Sequence, residues 1–187
     1  MSNPTLHEVV DLSYKNPDEQ AQQMKKHGYV LDSRFSDTNN QSYWNPEKQK
    51  LIFSVSGTHN KNDWITNANL AVGNLKGTKR YQDSDNLLQN AKSHYKPTKT
   101  SVIGSSQSGA TASYIGKPED DIYTLNKAVA INQSYRPNEK AYRSENDIIS
   151  ILGKYNSNMT TIKNNSILKD PISSHSFDNF KDLNVFV

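Results

Sequence analysis

The chain of 187 residues contains no cysteine, which excludes disulfides and thiolate metal sites and leaves no mark of an oxidising compartment. Apolar residues are also scarce. Only 33% of the sequence is hydrophobic and the mean hydropathy is −0.86, so the core has to be compact beneath a surface rich in Asn, Lys, Ser and Gln. No apolar run is long enough to span a bilayer, and the opening MSNPTLHEVVDLSYKNPDEQ has neither the basic start nor the apolar stretch of a signal peptide. These absences predict a soluble protein, intracellular or carried in an assembly. Charge of one sign is lacking too: 22 basic residues stand against 19 acidic ones. They are scattered, without the Lys/Arg stripe that a phosphate backbone demands, so nucleic acid is not an expected partner. No internal repeat of roughly 20–50 residues is visible and no segment is linker-like, so residues 1–187 are expected to form a single domain.

Local patterns alternate between strand and helix. Asn16-Pro17-Asp18-Glu19 supplies a cap, a first-turn proline and early acids for a helix through Lys26, closed by Gly28. Tyr29 to Leu31 and Tyr43-Trp44 suit short strands near an edge, separated by a polar turn from Ser36 to Asn40. Leu51 to Val55 is a buried-strand run halted by Gly57. Asp63 to Leu70 suits a short helix, and Asp83 to Tyr95 a crossover helix with apolar Leu87, Leu88, Ala91 and Tyr95, stopped by Pro97. Thr100 to Ile103 is the next strand, turning through Gly104-Ser105-Ser106 into a small-residue helix from Gln107 to Ile115. Further strands are expected at Ile122 to Leu125, Lys140 to Arg143 and Met159 to Ile162, with a final short helix in the tail. This order calls for an α/β fold, a mostly parallel central sheet with helices on both faces.

The strongest chemical signal is Val102-Ile103-Gly104-Ser105-Ser106-Gln107-Ser108-Gly109-Ala110, a strand turning sharply into a helix with a serine at the apex. Such an elbow needs small residues two before and two after the serine, which Gly104 and Ser108 provide, and it projects the hydroxyl above the carboxyl edge of the sheet. A plain Gly/Ser-rich turn would look similar. A nucleophilic serine needs a base and an acid that orients it, and the chain order serine, acid, histidine is met by Asp147 and His175. Asp147 equally suits a cap for a helix over Ile148 to Leu152. His7, His27, His59 and His94 read as solvated, and the first three lack paired ligand spacing, so neither a metal nor a cofactor is expected. An oxyanion hole would draw on the Gln107 N–H and on Thr58, which follows Gly57 at the end of an adjacent strand.

Taken in order, these motifs resemble the class 3 (fungal-type) triacylglycerol lipases of the α/β-hydrolase superfamily. The family runs from an apolar strand into Arg-Gly-Thr/Ser, a short lid with Asp/Asn-Trp, a helix, Gly-His-Ser-Leu-Gly-Gly, then a late Asp-x-Val/Ile and a His. This chain offers Phe53 to Thr58, the polar stretch His59 to Asn62, Asp63-Trp64, the helix ending near Tyr95, Gly104 to Gly109, Asn146 to Ile149, and His175-Ser176. The resemblance covers roughly residues 29–180. It implies Ser106 as nucleophile, His175 as general base, Asp147 as the orienting acid, Thr58 and Gln107 as oxyanion donors, and Asp63 and Trp64 in a lid. It also implies acyl transfer from a lipid or small soluble ester, with transient contact at a membrane surface. Ser56, Ser105, Gln107 and Ser108 depart from the family's Arg, His, Leu and Gly, and the lid-like stretch is short and polar. The departures keep open an idle hydrolase fold serving as a binding module. Cysteine-free, Asn- and Lys-rich versions are similar to lipase-like proteins of large DNA viruses and their satellites. That likeness implies a virion-borne protein with a capsid or virion assembly partner.

Overall fold

A computed structural model describes residues 2–57, 72–128, 135–147, 150, 158–163 and 174–187. The expected helix over Asp63 to Leu70 lies outside them, as do Thr58, Asp63 and Trp64. The chain opens with α1 (Leu6–Leu12) and α2 (Pro17–Lys25), then forms β1 (Val30–Leu31), β2 (Asn40–Asn45) and β3 (Lys50–Val55). There follow α3 (Lys79–Tyr95), β4 (Lys99–Ser105), α4 (Ser106–Ile115), β5 (Asp121–Leu125), β6 (Glu139–Ser144) and β7 (Met159–Ile162). The strands make one seven-stranded sheet in sequence order. β1, β2 and β3 pair antiparallel, and every later neighbour pairs parallel.

The two-residue period of the strands sorts their side chains to opposite faces. Ile52, Ile103 and Tyr123 join Leu6, Val9, Val10, Met24 and Phe180 in one core, whereas Leu51, Phe53, Val55 and Val102 pack with Leu88, Ala91, Ala112 and Ile115 in the other. Helices therefore cover both faces: α1 and α2 one, α3 and α4 the other. The expected α/β architecture is observed.

Several boundaries differ from expectation for physical reasons. α1 lies in a segment whose sequence suggested no helix. It is only 7 residues long, too short for a periodic signal, but Thr5 and Glu8 form a capping box and Leu6, Val9 and Val10 are at most 2% exposed. Each such side chain contributes roughly 1.5–3 kcal/mol by burial. β2 begins earlier than the expected strand at Tyr43-Trp44: Asn40, the end of the expected turn, and Gln41-Ser42 join it because they find ladder partners in Val55, Ser54 and Phe53 of β3. α3 begins at Lys79, four residues before the expected start at Asp83, where the Thr78 hydroxyl accepts the Tyr81 N–H at 3.2 Å.

The register brings the site together. Val55 of β3 lies opposite Gly104 of β4, Gly104 opposite Thr124 of β5, and Leu125 of β5 opposite Tyr142 of β6. The chain thus leaves these strands at one carboxyl edge, the edge where open α/β sheets bind ligands.

Candidate active site

Among the described residues, four other than glycine have positive φ: Gln49, Lys96, Ser106 and Asn126. Gln49 turns the β2–β3 hairpin and Lys96 caps α3 in the left-handed conformation. Ser106, at φ 55°, and Asn126, at φ 45°, instead occupy the exits of the neighbouring strands β4 and β5. A left-handed serine costs about 1–2 kcal/mol, and strain of this kind collects at functional sites.

The sequence around Ser106 permits that turn. A Cβ on Gly104 would sit 2.3 Å from the Ser108 carbonyl oxygen, so strand and helix approach too closely for any side chain there. Ser108 is tolerated in a tight place because its hydroxyl folds back into the turn. It accepts the Ser105 N–H at 3.0 Å and donates to the Ser105 carbonyl at 2.7 Å. Gly109 packs against the stem of Lys127, whose Cβ and Cγ would lie 3.3 Å from an added methyl. Gln107 stands half-buried in the first turn of α4, and Ser106 is half-buried as well.

Asp147 and His175 meet. The imidazole Nδ1 lies 2.7 Å from Asp147 Oδ1, with the carboxylate 0% and the histidine 7% exposed. An ionised carboxylate only accepts, so Nδ1 carries the hydrogen and Nε2 is the basic nitrogen. The second oxygen of Asp147 accepts the Ser150 N–H at 3.1 Å and the Ser150 hydroxyl. One carboxylate oxygen is thus engaged by Ser150 and the other by His175; apart from Ser150, the expected helix over Ile148 to Leu152 lies outside the described residues. Buried Arg143 donates to the Asp147 carbonyl at 2.9 Å and from Nε to Ser150 Oγ at 3.3 Å. Burial lowers the pKa of the Arg143 guanidinium, and the nearby Asp147 opposes that shift.

The two halves hang on one short stretch. Leaving β5, Asn126 donates from Nδ2 to the His175 carbonyl at 2.9 Å and accepts the Ser144 N–H at 2.8 Å. Two residues later Ala128 N–H donates to the Ser106 carbonyl at 3.0 Å. Residues 126–128 therefore hold both the elbow and the histidine segment. Downstream, the Ser174 carbonyl accepts the Asn179 amide at 3.2 Å and fully buried Phe180 anchors the tail in the α1 face.

Beneath the elbow lies an ion pair that the sequence did not suggest. Lys127 Nζ is 2.7 Å from Glu139 Oε1, both side chains 0% exposed, and 3.7 Å from the Tyr135 ring centroid. Glu139 also accepts from Ser113 of α4 at 2.8 Å and from Thr124 of β5 at 2.9 Å. Burial pushes the Lys127 ammonium below its ordinary pKa, and Glu139 opposes the shift. The network ties α4 to β5 and β6. Asn126, Ser150 and Arg143 also escaped sequence reasoning; only an asparagine after a strand, a residue that tolerates left-handed backbone, hinted at the first.

Among the described residues no cluster of three or more His, Asp or Glu is placed to hold a metal, and no helix is long and apolar enough to cross a membrane.

Comparison with solved structures identifies the fold. Lip2 lipase from Yarrowia lipolytica is similar with a TM-score of 0.54 at 13% identity, over 96% of this chain and 88% of that one. A mutant form of MDLA from Penicillium cyclopium gives 0.51 at 13% identity, over 78% and 68%. The Rhizomucor miehei lipase in its propeptide complex gives 0.51 at 13% identity, over 77% and 60%. No protein-family model matches the chain, and no curated protein matches it. At such identity the likeness is one of fold, and the fold is that of the α/β-hydrolase-type fungal lipases.

Proposed function

We propose that this chain is a serine carboxylic-ester hydrolase of lipase type, with Ser106, His175 and Asp147 as its triad. The observation that carries the proposal is the buried His175–Asp147 pair, tied through residues 126–128 to a serine held at positive φ. Ester hydrolysis asks for these groups in these roles. Ser106 Oγ attacks the carbonyl carbon while its proton passes to His175 Nε2, and Asp147 stabilises the imidazolium. The tetrahedral oxyanion is met by the Gln107 N–H and by Thr58. Its collapse breaks the C–O bond, and the departing alkoxide takes the proton from His175. Water, deprotonated by the same imidazole, then attacks the acyl-enzyme and regenerates Ser106.

The named neighbours include lipases, which supports an ester of a lipid as substrate. The polar stretch His59-Asn60-Lys61-Asn62 argues against interfacial activation on bulk fat and sets soluble esters and phospholipids beside triglyceride as substrates, with contact at a membrane surface only transient. The virion role rests on composition alone and takes no part in this reading.

The test is turnover of p-nitrophenyl butyrate and labelling by a fluorophosphonate probe, in the wild type and in Ser106→Ala. The wild type is expected to label and turn over. The variant should not label, and its kcat should fall by up to about 10⁶. An unlabelled wild type, no faster than the variant, would leave an idle hydrolase fold serving as a binding module.

A further inference from the structure

Tyr14, just beyond α1, touches three segments of the site at once. Its hydroxyl accepts the Gly57 N–H at 2.9 Å and lies 3.4 Å from Ser105 Oγ. Its ring stacks on Phe177, with centroids 5.4 Å apart and planes 8° from parallel. These partners stand one residue before Thr58, one before Ser106 and two after His175. The fit at Gly57 is close, since a Cβ there would sit 2.5 Å from the Tyr14 hydroxyl oxygen. Arg80, in the first turn of α3, grips the same turn by donating to the Ser56 carbonyl. Tyr14 itself is held firmly. Its N–H donates to the Asp11 carbonyl at 3.1 Å, and the start of α1 is bound to the chain's last residues by Leu6 N–H to Val185 O at 2.7 Å.

We propose that Tyr14 is a positioning residue that holds the Gly57 turn, the serine elbow and the histidine segment in mutual register. The proposal rests on the hydrolase reading above. Tyr14 acts through backbone and neighbouring side chains and touches no substrate. Because the Gly57 amide is committed to the phenol, the oxyanion is left to Gln107 and Thr58. The phenol also explains why a helix so far from Ser106 in sequence is packed against the catalytic edge.

The test uses Tyr14→Phe, which keeps the ring stack and deletes the acceptor. Its kcat on p-nitrophenyl butyrate should fall about 10- to 100-fold, the scale of a small misplacement of reacting groups, with KM changed less than about twofold. The rate of fluorophosphonate labelling should fall in parallel, and hydrogen exchange at the Gly57 amide should accelerate. A second variant probes the same contact: Gly57→Ala should damage the wild type but not Tyr14→Phe, because the nearest remaining ring atom lies 3.7 Å from the new methyl. Wild-type kcat and labelling in Tyr14→Phe, or equal damage from Gly57→Ala in both backgrounds, would overturn the proposal. Should the wild type neither turn over nor label, the hydrolase reading fails by itself, and the clamp is judged by exchange at Gly57: faster in Tyr14→Phe sustains it, unchanged defeats it.

Discussion

Asp147→Asn exchanges one oxygen for nitrogen in a group whose orientation the protein already dictates. Oδ2 accepts the Ser150 N–H at 3.1 Å and the Ser150 hydroxyl, so the amide oxygen of the variant stays on that side and its NH₂ turns to His175 Nδ1. There the separation is 2.7 Å, and an amide NH₂ can only donate. His175 is then held with its hydrogen on Nε2, the tautomer that cannot take the Ser106 proton. A wrong tautomer in an intact site lowers kcat by about 10⁴, or ~5.5 kcal/mol at roughly 1.4 kcal/mol per decade. Losing a hydrogen bond to a charged group adds a stability cost of about 1.5–3 kcal/mol, and buried Arg143, 3% exposed, loses a nearby anion. Rates on p-nitrophenyl butyrate at neutral pH should therefore be taken well below the variant's melting temperature, beside a circular dichroism spectrum. A folded Asp147→Asn protein that retains more than a tenth of wild-type kcat would refute the assignment of this pair to Ser106.

Gly104→Ala should destabilise by at least about 3 kcal/mol, the upper range for overpacking, because the new methyl meets backbone atoms of Ser108 at 2.3 and 2.6 Å; an unchanged urea midpoint would contradict that geometry. Lys127→Met leaves Glu139 buried without its cation and should cost about 3–5 kcal/mol by thermal or chemical denaturation, since both groups are 0% exposed; a loss under about 1 kcal/mol would mean water reaches the pair. Hydrogen bonds from Arg34, then from Tyr95, hold the Asp32 carboxyl well below its ordinary pKa. Its stabilisation is therefore complete above the unfolded value near ~3.9 and is lost as pH falls towards the folded one. The stability gap between wild type and Asp32→Asn should accordingly be constant at neutral pH and narrow below about pH 4; a gap independent of pH in acid would rule out the ionised contact.

The elbow was legible because its constraint is local. Gly104, Ser106 and Ser108 sit within one turn, and the need for small residues where strand meets helix is visible in five letters. Strands β3, β4 and β5 were legible for a similar reason, being apolar runs buried on both faces. α1 and the outer half of β2 were not. A helix of 7 residues has too few turns for a period, and the polar run Asn40-Gln41-Ser42 gives no strand signal until a partner strand satisfies its backbone. Asp147 carried two local meanings, cap and catalytic acid, and only the fold shows that it serves Ser150 with one oxygen and His175 with the other.

By itself the sequence determined the described strands and helices from α2 onward and the sharp turn at Ser106, because each depends on side chains within a few residues of one another, and it set the chain order of serine, acid and histidine. Tertiary structure alone decided the rest. Tyr14 and Ser105 are 91 residues apart, Asn126 and His175 49, and Asp147 and His175 28. No periodicity or spacing encodes which distant group answers a buried donor. That choice was made when the parallel register placed the ends of β3, β4, β5 and β6 at one edge of the sheet.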